Sequence, residues 1–470
     1  MRPMTTAQPI RTVADLTGRR AVVLGLARSG LAAARFLVSA GAVVSVYDRR
    51  PPSELADAIE ALADRPVHLA LAVSPDNARR LLAEAELVVT SPSVSPRFPT
   101  TDAWLRAALL AAEARGIEVL SEVELFLRLT RARVLAVTGT KGKTTTASLL
   151  DAMLGADGIA HVLGGNIGRP LIEEVQHLAP ADWAVLELSE LQLPTISRGA
   201  EVAVYTNIAA DHLDRHGSVE AYRAVKARLA ELSGGGAIVL NAEDPGCLEL
   251  AAQLNAASLH WYGLEGEHEA TIADGWLMLA GERLLPVGQV PLPGRHMLSN
   301  VLGAALGASL AGASRNAIAL AIGGFAGVPN RLERLGERAG VAWVNDSQAT
   351  IPMAAIAALD AFEPARIVLI AGGQGKGLDY IAFAQAIVAR CRAAVLIGET
   401  AGELEQLLAD RLPVLRAGSM DAAVQLAASA AQPGDVVLLS PAATSFDMFV
   451  DYAERGEAFR SAARKLGVRP

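Results

Sequence analysis

Apolar runs that stop at glycine, serine, threonine or aspartate recur along this chain, with helical stretches between them. "AVVLGLARSG" and "AVVSVYD" flank the helical "LAAARFLVSAG", and "ELVVTSPSVSP" continues the pattern. A second series starts at Val134 and includes "WAVLELS", "VAVYTNI" and "GAIVLNAED"; its later part, "TIADGWLMLAGERLLPVGQVPLPG", reads as a β-meander. A helix pair spans His296 to Phe325, and a third series follows in "VAWVNDSQAT", "RIVLIAGGQGKG", "AAVLIGE" and "DVVLLSPAATSFDMF". Such a rhythm implies parallel sheets covered by crossover helices, with ligands gathered beyond the carboxyl ends of the strands. A chain of 470 residues exceeds one ordinary core. The fold expected is α/β in three domains, over residues 1–122, 123–327 and 328–470.

Composition removes several classes of function. The net charge of −8 argues against a nucleic-acid partner, which demands a basic face. No apolar run reaches the ~18–20 residues of a membrane span, and "MRPMTTAQPIRTVADLTGRR" lacks the apolar centre of a secretory signal. Cys247 and Cys391 cannot make a disulfide framework or a zinc site, which fits a reducing cytoplasm. The expectation is a cytoplasmic, monomeric protein with small-molecule partners, no nucleic acid and no membrane insertion.

In "VVLGLARSGLAAARFL", Gly25, Ala27 and Gly30 hold the small positions of a dinucleotide fingerprint, and Asp48 ends the next strand, where an acid would meet a ribose. Alone, the segment suggests NAD. The same small residues also serve tight strand-to-helix packing, so it specifies only a nucleotide-diphosphate site of unassigned kind.

"VLAVTGTKGKTTTASLL" is more specific. The first P-loop glycine is replaced by Val137, leaving a shorter loop of Gly139, Thr140, Lys141, Gly142, Lys143, Thr144 and Thr145. Successive backbone N–H groups and a helix start are expected to face nucleotide phosphates, with Lys143 on the β/γ oxygens and the Thr144 hydroxyl on Mg²⁺. ATP or GTP binding follows. Glu187 ends a strand, where a carboxylate could serve a metal or merely rim the sheet. His212 stands beside Asp211 beyond the next strand, and Lys226 lies on an amphipathic helix, where the plain reading is a solvated lysine.

Taken together, "VTGTKGKTTTASLL", "GGNIG", "LELSELQL", "TNIAADHLDRHGS" and "YRAVKARL" occur in the order that resembles the Mur ligases. These are ATP-dependent amino-acid ligases of peptidoglycan synthesis, related to folylpolyglutamate synthases. The resemblance implies that Thr144 and Glu187 serve one Mg²⁺. It implies that His212 and Lys226, the latter carbamylated by CO₂, serve a second. It also implies that Asn166 and His212 lie near the acceptor's pyrophosphate or sugar. Asn300, Arg331 and Asp346 would contact ATP, although Met297 stands where the family's motif usually has its first Asn. The first domain would then hold UDP rather than NAD, through Arg28, Ser29, Asp48, Arg49, Arg50, Ser91 and Ser93, with Ser93 in place of a usual glycine.

"AGGQGKGLDY" and "LSPAATSFDMFVDYAERG" contribute Lys376, Ser445 and Tyr452, and "NDSQAT" contributes Thr350. The resemblance covers essentially the whole chain. This combination is most similar to members that join D-glutamate to UDP-N-acetylmuramoyl-L-alanine, where such residues contact the incoming amino acid. Gln348 replaces a lysine common in that segment and bears on amino-acid preference. The activity implied is amide-bond formation through an acyl phosphate, with Lys143, Lys226 and His212 at the reaction centre and His212 as ligand or contact rather than base. Three competing readings are another Mur or folylpolyglutamate-type ligase (or an L-glutamate-adding variant), a nicotinamide-dependent oxidoreductase, and a non-catalytic nucleotide-binding subunit. The oxidoreductase leaves the loop, Glu187 and His212 unexplained.

Overall fold

A computed structural model describes residues 9–209, 218–254, 258–292, 294–362, 364–375 and 377–469. Three sheets organise them. The first consists of β1 (Arg20–Leu24), β2 (Val43–Asp48), β3 (Val67–Leu71), β4 (Leu87–Thr90) and β5 (Glu118–Ser121), all parallel in the order β3-β2-β1-β4-β5. Strand order reverses between β1 and β4, which opens a crevice beyond their carboxyl ends.

The second sheet has nine strands in the order β14-β13-β12-β11-β10-β9-β6-β8-β7. They are β6 (Arg133–Thr138), β7 (His161–Gly165), β8 (Trp183–Glu187), β9 (Val202–Tyr205), β10 (Ala237–Asn241), β11 (Leu259–Tyr262), β12 (Ala270–Ala273), β13 (Trp276–Leu279) and β14 (Glu282–Pro286). β12 to β14 form the antiparallel meander; the remaining pairs are parallel. β8 and β9 are buried throughout and β6 is buried from Val134 onward, as central parallel strands covered on both faces must be.

The third sheet runs β15-β16-β20-β17-β18-β19, from β15 (Glu333–Arg338), β16 (Val341–Asn345), β17 (Ile367–Gly372), β18 (Cys391–Ile397), β19 (Val414–Arg416) and β20 (Val436–Leu439). Only β15 is antiparallel to its neighbour.

The chain divides into two compact units, Met1–Gln289 with Leu298–Gly323, and Val290–Met297 with Gly324–Pro470. The first unit holds two sheets because one apolar core runs through both, from Leu16 and Val23 by way of Phe126 to Tyr205 and Leu240. Buried carboxylates lace the seam. Glu122 accepts the Ile172 N–H at 3.1 Å, and Glu124 accepts the Ser197 N–H at 2.8 Å. Burial pushes the Glu122 carboxyl up to about 7, partly opposed by the Ile172 and Leu171 N–H groups. Cys247 and Cys391 are buried free thiols, and no helix of the described residues is long and apolar enough to cross a membrane.

Candidate functional site

β6 ends at Thr138, and the chain turns through Gly139 (φ 149°) and Gly142 (φ 85°) into the helix Lys143–Ala156. Only glycine fits either turn. A Cβ on Gly139 would stand 2.0 Å from Thr206 Oγ1, and one on Gly142 would stand 2.3 Å from Asn300 Oδ1. Asn300, buried on the helix Arg295–Leu310, therefore lies directly against the loop. Lys143 bends back so that Nζ donates to the carbonyl oxygens of Gly139 (3.0 Å) and Thr140 (2.9 Å), holding the ammonium at the loop itself. Thr145 is buried within the helix's first turns. The N–H groups of Thr140 and Lys141 are bonded to Asn207, so an unbroken run of phosphate-facing donors is not what the loop offers.

Beside the loop, Glu187 at the end of β8 is only 1% exposed, yet both its oxygens are engaged. Oε2 accepts the Thr144 hydroxyl at 2.8 Å, and Oε1 accepts Asn166 Nδ2 at 2.8 Å. Asn166 is itself fixed by its N–H on the Glu187 carbonyl at 2.8 Å. Gly165 makes that approach feasible, since a Cβ there would stand 2.4 Å from the same carbonyl oxygen. Three residues expected to serve metal and acceptor thus form one hydrogen-bonded group.

Lys226 departs from the plain reading of a solvated helix lysine: it is 0% exposed. The helix Val219–Leu232 turns it inward with Tyr222 and Leu229. Its Nζ donates to Thr138 Oγ1 at 3.2 Å and lies 5.5 Å from the centre of the Tyr222 ring. The Tyr222 hydroxyl is 3.0 Å from Thr140 Oγ1, so lysine, ring and loop are linked. His212 lies outside the described residues.

In the first sheet, a Cβ at Gly30 would stand 1.8 Å from the Gly25 carbonyl oxygen, so this glycine serves strand-to-helix packing. Asp48 is buried; it accepts the Leu26 N–H at 2.7 Å and the Arg50 guanidinium at 2.8 Å. Burial raises its carboxyl, but the Arg50 and Leu26 bonds outweigh that and hold it below the usual carboxylate range. Arg50 is therefore committed to Asp48. Arg28 and Arg49 are exposed, Ser29 and Ser91 half-buried, and Ser93 exposed. Gly25 packs against Ser91, which brings the ends of β1 and β4 together at the crevice.

In the second unit, Asp346 follows β16 and is buried; it accepts the Ser440 hydroxyl at 2.8 Å and the Leu332 N–H at 3.2 Å. Burial pushes its carboxyl up to about 7, with Ser440, Leu332 and the Arg331 charge pulling the other way. Arg331 is held between Asn330 (φ 63°) and Leu332 (φ 46°), two left-handed residues that fix its place in the turn. Thr350 is half-buried and Ser445 2% exposed, whereas Tyr452 is 38% exposed at the start of the helix Tyr452–Leu466. Lys376 lies outside the described residues.

Arg455 escapes a reading of motifs altogether. It is 0% exposed and donates to Ser347 O (2.8 Å), Ser347 Oγ (3.0 Å), Ala443 O (3.1 Å) and Thr444 O (3.1 Å). Burial lowers its guanidinium to about 10, against the Asp447 charge. One buried cation thereby pins the segments that carry Thr350 and Ser445. The available signal was its spacing from Phe459 and Ala462, which places a charge on the helix's apolar face.

Family descriptions cover the chain in three parts: "Mur ligase MurD-like, N-terminal domain" at 19–121, "Mur ligase middle domain" at 137–308, and "Mur ligase, glutamate ligase domain" at 330–443. A Solibacter usitatus protein named UDP-N-acetylmuramoylalanine--D-glutamate ligase is 39% identical over 455 residues, spanning 96% of this chain and 99% of the relative. A Nitrosococcus oceani protein of the same name is 40% identical over 456 residues, spanning 95% and 96%. Among solved structures, the UDP-N-acetylmuramate-alanine ligase MurC of Thermotoga maritima matches with TM-score 0.59 at 18% identity, over 95% of this chain and 100% of that one. A pseudomurein peptide ligase type C from Methanothermus fervidus matches with TM-score 0.52 at 20% identity, over 96% and 100%. These structural likenesses concern the fold alone.

Proposed function

We propose, for a chain that belongs to the Mur ligase family, the ATP-dependent joining of D-glutamate to UDP-N-acetylmuramoyl-L-alanine in peptidoglycan precursor synthesis. The observation that carries this reading is likeness to relatives of that name over nearly the full length of both chains. The Thr144–Glu187–Asn166 group supports it from the geometry.

The work is divided among residues 1–122 for UDP, 123–327 for ATP and the acceptor's reacting end, and 328–470 for the amino acid and ATP. Arg28, Ser29, Arg49, Ser91 and Ser93 are the groups offered to UDP, with Asp48 and Arg50 shaping the crevice through their mutual pair. Asn300, Arg331 and Asp346 are assigned to ATP. Thr350, Lys376 and Ser445, with Tyr452 packing nearby, are assigned to D-glutamate, whose two carboxylates call for a cation and hydroxyls.

Magnesium fits the residues present. A hydroxyl and a buried carboxylate within hydrogen-bond reach are hard oxygen donors of the kind Mg²⁺ takes together with nucleotide phosphates. Among the described residues no group of three or more His, Cys, Asp or Glu side chains forms a rival metal site. Thr144 and Glu187 would hold one ion; His212 and a carbamate on Lys226, formed from its amine and CO₂ with loss of a proton, would hold a second. When bound, Mg²⁺ supplies charge neutralisation to the transferring phosphoryl group.

The reaction takes two steps. The L-alanine carboxylate attacks the ATP γ-phosphorus, forming an acyl phosphate as the bond to ADP breaks. The glutamate amine then attacks the acyl carbon, phosphate leaves, and the amine's proton is lost to solvent or a base other than His212. Lys143 offsets phosphate charge, and the helix start at Lys143 orients it. Positioning rather than covalent protein chemistry supplies the rate. The reading carries a cytoplasmic location and a monomeric state. Its test is phosphate release from ATP with UDP-N-acetylmuramoyl-L-alanine and either glutamate enantiomer: release with D-glutamate supports it, and release with neither enantiomer overturns it. Preference for L-glutamate would mark Gln348 as a specificity change.

A further inference from the structure

The nucleotide loop is built against a residue that lies in a different strand's exit and that neither phosphate nor metal chemistry calls for. β9 ends at Tyr205, and Thr206 and Asn207 continue alongside the loop. Asn207 Oδ1 accepts the Lys141 N–H at 2.9 Å, while its Nδ2 donates to the Lys141 carbonyl at 3.0 Å. One amide thus closes on both peptide groups of a single residue, and turning that amide over would break both bonds, so its orientation is fixed by its partners. Asn207's own carbonyl accepts the Thr140 N–H at 2.9 Å, and Thr206 Oγ1 donates to the Lys141 carbonyl at 2.6 Å. Gly139 is pressed onto the same segment, since a Cβ there would stand 3.0 Å from Asn207 O.

We infer that Asn207 is the positioning residue of the nucleotide loop. By drawing Thr140 and Lys141 inward it fixes the turn between Gly139 and Gly142. It thereby aims the first turn of the helix Lys143–Ala156, whose N–H groups lie outside the helix's own ladder, at the phosphates. Both polar atoms of the Asn207 side chain are taken up by Lys141, so Asn207 acts through the Lys141 peptide. The inference rests on the reading that this loop binds ATP, and the experiment separates the two.

Calorimetric titration of ADP with Mg²⁺ into wild type, Asn207→Ala and Asn207→Asp tests it, alongside titration of UDP-N-acetylmuramoyl-L-alanine. Asn207→Ala loses two backbone bonds and should weaken ADP roughly 10- to 100-fold, with acceptor affinity unchanged within about twofold, inside the scatter of single-site context effects. Asn207→Asp keeps an acceptor for the Lys141 N–H but sets an oxygen against the Lys141 carbonyl, and should lose at least as much. Thr206→Val removes one bond to the same carbonyl at nearly constant shape and should show a smaller loss in the same direction, which keeps the test open if an Asn207 variant fails to fold. ADP affinity equal to wild type in the variants overturns the inference. Parallel losses for ADP and acceptor overturn it too, since they mark a general scaffold role. Wild type that binds no ADP would instead overturn the ATP reading of the loop.

Discussion

Thr144 donates its hydroxyl to Glu187 at 2.8 Å, joining the first turn of the loop's helix to the end of β8, the strand paired with β6. The pair draws a hydroxyl and a carboxylate from separate crossovers to one point, and Asn166 fastens the carboxylate from behind. Glu187→Gln removes the charge and leaves one carbonyl acceptor where Thr144 and Asn166 now use two. Turnover should fall on the order of 100-fold, comparable with loss of one charge-stabilising group, and the Mg²⁺ concentration for half-maximal phosphate release should rise. An unchanged Mg²⁺ dependence would remove Glu187 from the metal site.

Lys226 has no route to water at 0% exposure, so its amine must serve the interior of the site or the fold. Lys226→Ala should abolish detectable turnover, and short-chain carboxylates added to the assay should restore part of it by supplying the missing anionic oxygen. Full activity of the Ala variant without additives would end the carbamate assignment.

Much of the loop was legible because its glycines, lysine and threonine are contiguous and follow an apolar strand. Lys226's burial was harder to read. It shares a helical face with Tyr222, Leu229 and Ala230, but Val225 and Ala227 spread apolar character around the helix and blur that face. Asn207 was visible as a letter in "TNIAAD", yet its clamp depends on bringing the ends of β6 and β9 side by side, which is a tertiary fact. Arg455 joins segments about as distant: its partners Ser347 and Thr444 come from different strand exits. Parallel strands announce themselves by composition; which of their ends meet depends on sheet order, and sequence patterns do not encode that order locally.

Arg455 satisfies backbone carbonyls with a fork that lysine cannot reproduce. Arg455→Lys should lower stability by roughly 2–4 kcal/mol, for two or three lost bonds in a buried site. It should also raise the KM for D-glutamate more than that for the acceptor. Chemical denaturation and initial-rate kinetics check the two parts, and equal KM changes would reduce Arg455 to a general core residue.

His161 carries a pH signature unrelated to catalysis. Its Nε2 lies 3.1 Å from Asp151 and its Nδ1 lies 2.7 Å from the Ile159 carbonyl, an arrangement that suits the doubly protonated ring. The Asp151 bond raises its pKa above the ordinary histidine value of 6.5, against the pull of burial. A raised folded-state pKa means the contribution is full below 6.5 and is lost as pH rises through the higher folded value. Denaturation midpoints of wild type and Asp151→Asn should therefore differ at mildly acidic pH and converge in alkali. A difference that grows with pH would contradict the assignment.

What the bound phosphate is for can be read from the oxygen it carries away. UDP-N-acetylmuramoyl-L-alanine labelled with oxygen-18 in its carboxylate is incubated with ATP, Mg²⁺ and D-glutamate, and the released phosphate is examined by mass spectrometry. Attack by the carboxylate on the γ-phosphorus followed by amine attack at carbon must move one labelled oxygen into each phosphate, together with formation of the glutamyl amide. Unlabelled phosphate, or phosphate released without amide product, would contradict carboxylate activation by this protein.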